Sequence, residues 1–375
     1  MNQPNQVKFV SHNPETEAFF PTLRGRVNKY FETAGISKNA DSGMYLKTIF
    51  MLGIYFVPLA LIYTNSLPVW GMFLAYCLMG IGMVGIGMSI MHDAIHNAYA
   101  PDKKTNTWLG YTLNMVGGSD FTWFVQHNHL HHTYTNVYGL DEDVHDKPIL
   151  RLAPTGKWAW VHKYQHLYAV LLYGMATLSW VVNKDFKQIF RYNASGLTES
   201  LGHSPRWEFS KILLNKVIYW TVTFILPLAL LDYGWGWMLL GFFCMHFIAG
   251  FIMTLVFQLA HVVEETSYPL PTEQNELENS WAVHQLLTTA DFSPHNKFIS
   301  WWVGGLNFQI EHHLFPNICH VHYPAIAPIV RQTAEEFGLP YHQFASIGEA
   351  IQSHFGRLKA LGAAAAQAPV DLPAI

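Results

Sequence analysis

Apolar positions gather into four long runs along this chain: 45–64 (YLKTIFMLGIYFVPLALIYT), 69–91, 212–231 and 235–260 (WGWMLLGFFCMHFIAGFIMTLVFQLA). Each is long enough, at about 1.5 Å per residue, to cross roughly 30 Å of hydrocarbon. Four runs of this length are too many for the core of one soluble protein. The pattern therefore predicts an all-α integral membrane protein whose four spans form two hairpins. Two shorter apolar stretches, 105–117 and 167–182, read as re-entrant or interfacial helices. The more polar segments 92–211 and 261–362 are left to form a helical cap, with 1–44 as an N-terminal segment and 363–375 as a frayed low-complexity tail. No repeat and no Pro/Gly/Ser linker divides the sequence, which predicts a single domain.

Composition sharpens this picture. Only 13% of the 375 residues are charged and 50% are hydrophobic, against about 25% charged in soluble domains. The formal charge of −4 argues against nucleic-acid binding, which calls for a basic surface. The start of the chain, MNQPNQVKFVSHNPETEAFF, has no apolar core of a secretory signal. Lys8, Arg24, Arg26, Lys29 and Lys38 precede the first run, while the links inside the hairpins carry only Asp232. By the positive-inside rule both termini and the cap are cytoplasmic. Cys77, Cys244 and Cys319 form no CxxC. They suit a reducing compartment and are too few for a four-thiolate iron–sulfur cluster.

The chain holds 21 histidines, many of them clustered. HDAIH places His92 and His96 at the end of the second run, on one helical face about 6 Å apart. In QHNHLHHTYTN, His127 and His131 share a face, His132 lies one step around, and His129 points elsewhere. QIEHH supplies His312 and His313, and His261 ends the fourth run. The second and fourth spans both return to the same side, so all these pieces converge at one membrane-proximal level. His246 lies about 22 Å deeper than His261, too far to ligate; it lines a tunnel end or bonds to a neighbouring helix.

Imidazole suits zinc, copper, nickel and iron. One catalytic zinc takes three protein ligands, so this set is sufficient for two metals. A zinc protease would show HExxH, but Asp93 follows His92. Neutral ligands leave positive charge for outer groups to offset. Asp93, Glu311, Asp141, Asp143, Glu264 and Glu265 are the available acids, and Asn128 a further outer partner.

The order HDxxH, HxxxHH, QxxHH, separated by paired spans, resembles the membrane fatty acid desaturases, most closely the branch with linoleoyl-CoA and front-end acyl desaturases. The stretches 127–143, 257–265, 281–293 and 307–324 carry the likeness. The resemblance implies a non-haem diiron centre, O2 as co-substrate and a fatty acyl chain, on acyl-CoA or lipid, that gains a cis double bond. By motif it assigns His92, His96, His127, His131, His132, His312 and His313 as metal ligands, with His261 as an additional one. Such chemistry is coherent physically: an unactivated methylene is not acidic, so its hydrogens are removed by an oxidant, while the protein orients the chain.

Front-end members usually carry a fused cytochrome b5 domain, but no His-Pro-Gly-Gly motif and no flavin fingerprint occurs here. Electrons are expected from a separate protein, a ferredoxin or a cytochrome b5, docking on a basic cluster of Lys147, Arg151, Lys157 and Lys163. Two rival readings are a lipid hydroxylase or epoxygenase with the same boxes and a histidine-rich metal transporter. Gln309 stands where the earlier clusters would place another histidine. It shares a face with His312 and His313 and is read as a weak ligand or a holder of metal-bound water. Within the resembling family it marks front-end regiochemistry.

Overall fold

A computed structural model describes residues 7–363 except 12, 146 and 148; the tail expected to fray lies almost wholly outside the described residues. The fold is mostly helical, and its contacts divide it into two compact units. The described parts of 1–39, 126–169 and 256–374 make the first unit, and 40–125 with 170–255 the second.

The second unit takes in most of the four helices long and apolar enough to cross a membrane: Ser42–Tyr63, Val69–Ile95, Pro205–Leu230 and Trp235–His261. The first begins at Asp41, whose carboxylate accepts from the Met44 N–H at 2.8 Å, an N-cap for an otherwise orphaned donor. Val69–Ile95 is the central helix, with 72% of its apolar window buried, against 28–39% for the others. Its glycines explain how it packs. A Cβ on Gly82 would sit 2.7 Å from the Tyr55 nitrogen, and one on Gly80 would sit 2.5 Å from the Met245 carbonyl oxygen. Small residues let apolar helices approach backbone to backbone where water supplies no driving force. At the hairpin tips Asn65 donates to Asp232 at 2.7 Å, and Tyr63 donates to the Val222 carbonyl at 2.6 Å.

Within this unit His246 is buried on Trp235–His261. Its Nε2 lies 2.8 Å from the Tyr219 hydroxyl and its Nδ1 3.2 Å from Thr177 Oγ1. The segments 105–117 and 167–182 fold as short helices, among them Lys103–Gly110, Thr112–Met115 and Gln165–Gly174.

The first unit is built on the helix Phe19–Ala34, where Phe19, Leu23, Val27 and Phe31 recur at i, i+4 and are buried. This stripe packs on Ile326, Val330 and Ala334 of the helix Tyr323–Glu336 and on Ile310 and Leu314 of the helix Gln309–Leu314. Two short parallel strand pairs fasten distant segments, Lys8–Val10 with Glu276–Glu278 and Ala290–Phe292 with His342–Phe344. Gly304 and Gly305 take φ of 66° and 68°, a left-handed turn that suits glycine and leads the chain into Gln309–Leu314.

Arg151 does not join a surface basic cluster. It is buried, and its guanidinium donates to the carbonyls of Gly156 (2.8 Å), Leu361 (2.6 Å) and Pro154. Carbonyl oxygens thus take up much of the donor capacity of this guanidinium inside the fold. Lys147, Lys157 and Lys163 are exposed.

Candidate metal centre

The second histidine cluster sits on an unusual winding. Phe124–His131 forms i→i+5 hydrogen bonds, a rare geometry that concentrates at functional sites. It brings both i+4 and i+5 toward one face. The His127 ring centroid is thus 5.4 Å from that of His131 and 4.6 Å from that of His132. His129 is exposed, away from that face.

Six histidines of the first unit meet there: His127, His131, His132, His261, His312 and His313, all buried. Potential ligand atoms of His131, His261 and His313 lie within 4.8 Å of one another, and so do those of His132, His312 and His313. Two adjoining groups that share His313 suit two metal positions. His132 Nε2 is 3.1 Å from His127 Nε2 and 2.9 Å from His312 Nε2. Two imidazole nitrogens bound at about 2.1 Å to one metal and at right angles lie about 3.0 Å apart.

In four of the rings the Nδ1 atom is tied down. His131 Nδ1 lies 3.0 Å from Asp141 Oδ2 and 3.6 Å from Asp143. His261 Nδ1 lies 3.2 Å from the Thr288 carbonyl, His313 Nδ1 2.7 Å from Gln285 Oε1, and His312 Nδ1 3.3 Å from the Tyr323 hydroxyl. An Nδ1–H donating to a fixed acceptor leaves Nε2 as the free lone pair. Among the described residues the Nε2 atoms of His131 and His261 are buried with no hydrogen-bond partner at normal geometry. Buried polar atoms are rarely left so, and a metal ion satisfies them. The donor set fits a dimetal centre.

Asp141 is fully buried. Burial opposes its ionisation, but His131 and the N–H groups of Asp143 and Asn136 outweigh that and hold its carboxyl below the usual range. It therefore supplies negative charge one bond from the cluster. Glu311 is turned the other way. Its Oε1 lies 3.0 Å from the Tyr341 hydroxyl, which also reaches Asp291 Oδ2 at 2.7 Å. Burial and the Asp291 charge push Glu311 well up, and burial pushes Asp291 up to about 6. Asp291 Oδ1 accepts the Ile310 N–H at 2.9 Å, which fixes the start of the third-box helix.

Gln309 is buried at the start of the helix Gln309–Leu314, one turn before His312 and His313. Asn128 is half-buried beside His127. Glu264 is exposed; its N–H donates to Ser353 at 2.9 Å, and its carboxylate faces Gly356 rather than a box histidine.

His92 and His96 belong to the second unit. Their ring centroids lie 4.9 Å apart, edge-on to Trp123 at 5.5 and 5.9 Å. A second i→i+5 segment, Ile86–Met91, precedes them. Asp93 is buried, 3.8 Å from His92 Nδ1.

Gln285 was not singled out from the sequence. It is fully buried, and its Oε1 takes His313 Nδ1 while lying 2.8 Å from the Thr135 hydroxyl. Its Nε2 and the Trp281 indole both donate to the His132 carbonyl, at 3.3 and 2.9 Å. The signal was an amide inside the apolar stretch WAVHQLLTTADF, since a buried amide has to find partners.

The family model described as fatty acid desaturase matches residues 67–345. The acyl-lipid (8-3)-desaturase of Physcomitrium patens is 37% identical over 352 residues, 93% of this chain and 72% of that protein. The sn-1 linoleoyl-lipid 6-desaturase of Arthrospira platensis is 33% identical, with 91% of this chain and 92% of the relative covered. The Synechocystis protein of the same name is 32% identical, with 96% and 98% covered.

Proposed function

This chain belongs to the fatty acid desaturase family, and on that premise we propose that it introduces a cis double bond into a lipid-linked fatty acyl chain at a two-iron centre. The Nε2 atoms gathered by six buried histidines of the first unit are the observation that carries the metal assignment. His92 and His96 are assigned to the same centre on their HDxxH spacing and the family. When bound, the irons supply the oxidising power that breaks two unactivated C–H bonds. The balance is two hydrogens with their electrons from the acyl chain, plus two electrons and two protons through a separate donor protein, reducing O2 to two waters. A ferredoxin or a cytochrome b5 fills that donor role.

The chain's own residues hold and exclude. Asp141, Gln285, the Thr288 carbonyl and Tyr323 fix the rings of His131, His313, His261 and His312 so that Nε2 faces inward. Gln309, buried one turn before His312 and His313, holds a water or lends a weak oxygen ligand. Burial of all six rings keeps bulk water from the oxidising site. The named relatives act on acyl lipids, which supports a lipid carrier and insertion near the carboxyl end. The five basic residues before the first span and the uncharged hairpin links support a cytoplasmic site with both termini on that side.

Expression in a host with a compatible donor, followed by mass spectrometry that locates double bonds, tests this reading. A new double bond is expected, and His131→Ala or His312→Ala should abolish it and lower bound iron. No new unsaturation with iron bound and a working donor would sink the proposal.

A further inference from the structure

Between Ser293 and Asn307 the chain leaves the body of the first unit as a finger and returns to it. Ser293 turns into the left-handed region at φ 48°, uncommon for a serine, and its N–H donates to the Phe344 carbonyl at 3.0 Å. Gly304 and Gly305 turn the chain back. Asn307 is fully buried and pins the root. Its carbonyl accepts the Phe292 N–H at 3.0 Å, and its Nδ2 donates to the Ser293 carbonyl at 3.3 Å and to Ser300 Oγ at 3.0 Å. The root runs into the third histidine box from both sides, since Asp291 holds the Ile310 N–H and Asn307 lies two residues before Gln309.

The tip is the short helix Lys297–Trp302, started by Asn296, whose Oδ1 accepts the Ile299 N–H at 3.1 Å. No residue of this helix is buried. Phe298 is 71% exposed and Trp301 40%, and three residues apart they share a face. Trp302 stacks on Phe298, with ring centroids 6.2 Å apart. A single exposed aromatic is ordinary. A firmly rooted loop that turns several rings outward marks a binding surface.

Charge and composition choose the occupant. No acid stands between Asp291 and Glu311, and Lys297 is the only lysine or arginine there. A soluble donor protein is met chiefly by charged groups. Aromatic rings beside a lysine instead belong at the boundary of a bilayer, where the rings sit at headgroup level and the cation meets anionic lipid. The chain's four membrane-length helices bring it to such a surface. We propose that Lys297–Trp302 is a lipid-docking finger: Phe298 and Trp301 seat in the headgroup layer, Lys297 pairs with lipid phosphates, and the lipid-linked substrate is captured at a tip rooted in the third histidine box. This rests on the desaturase reading for the identity of the lipid and adds where that lipid is taken up.

The test uses the full chain in nanodiscs of phosphatidylcholine and phosphatidylglycerol, with a light-activated reporter in the variant Phe298→p-benzoylphenylalanine. The same reporter replaces Glu335, an exposed side chain of the helix Tyr323–Glu336, as the control. Mass spectrometry should find lipid adducts about tenfold more abundant at 298 than at 335. Equal adducts at both positions, or adducts at 298 formed chiefly with a second copy or an added donor protein, overturn the proposal. Kinetics give the second arm. Seating one aromatic side chain in an apolar layer is worth about tenfold or more in binding. The double variant Phe298→Ser, Trp301→Ser should therefore raise KM for lipid-linked substrate about tenfold, with kcat and bound iron unchanged, a split that a merely structural role would not produce. Lys297→Glu should raise KM in discs containing phosphatidylglycerol and not in phosphatidylcholine alone. An unmoved KM in all these variants overturns the finger. Lipid adducts at 298 in an iron-loaded chain that desaturates nothing would support the finger and refute the desaturase reading.

Discussion

Replacing Gln285 by leucine removes the acceptor that orients His313 while leaving every proposed ligand in place. The His313 Nδ1–H, now 2.7 Å from Gln285 Oε1, would be left with the longer contact to Thr135 Oγ1 at 3.3 Å. Losing the shorter hydrogen bond costs about 1 kcal/mol. The other contacts of Gln285 have substitutes: Thr135 Oγ1 also lies 2.7 Å from the His131 carbonyl, and the Trp281 indole already serves the His132 carbonyl. The stability loss is therefore expected near that single-group figure. The effect on metal is larger, because the ring loses its closest acceptor and is held less firmly; loss of such outer partners costs roughly 10–100-fold in affinity or activity. Gln285→Glu keeps the acceptor and should retain iron within a few-fold of wild type. The assay is iron content after equilibration against a graded chelator, with thermal unfolding alongside. Wild-type iron retention in Gln285→Leu would refute the reasoning.

Asp141→Ala should weaken iron binding by roughly 10–100-fold through His131, read by the same chelator series; unchanged binding would remove Asp141 from the centre's support. Burial pushes the imidazoles of His354 and His284 down to about 4, so the folded state favours their neutral forms. Their stability is complete above the unfolded pKa near 6.5 and is lost as pH falls from about 6.5 to 4, by roughly 3 kcal/mol each. Melting curves across that range should flatten in His354→Gln, and an unaltered slope would count against it. Gln309→His should keep its iron but lose about tenfold or more in activity; full activity would show that the Gln309 amide is not required.

The four long apolar helices were legible because hydropathy over twenty residues is a strong signal, yet the helices run past the apolar runs for reasons hydropathy does not carry. The third helix begins at Pro205, ahead of the apolar run from 212, since Pro205 sits in the first turn and Glu208 and Lys211 pair at 2.7 Å. The second runs on to Ile95 and so includes His92. The histidine spacing marked the boxes, but not the i→i+5 winding that brings His132 onto the face of His127. The stripe Phe19, Leu23, Val27, Phe31 was open to reading at i, i+4, although the segment passes for a polar tail by composition. Its partner helix Tyr323–Glu336 was not legible, because nothing local names a contact three hundred residues away.

Metal analysis of the purified protein, paired with Mössbauer spectroscopy, tests the dimetal assignment most directly. Two irons per chain in nitrogen-rich, non-haem sites are predicted, both diminished in His131→Ala. Zinc in their place, a single iron, or iron unaffected by loss of His131 would contradict the account.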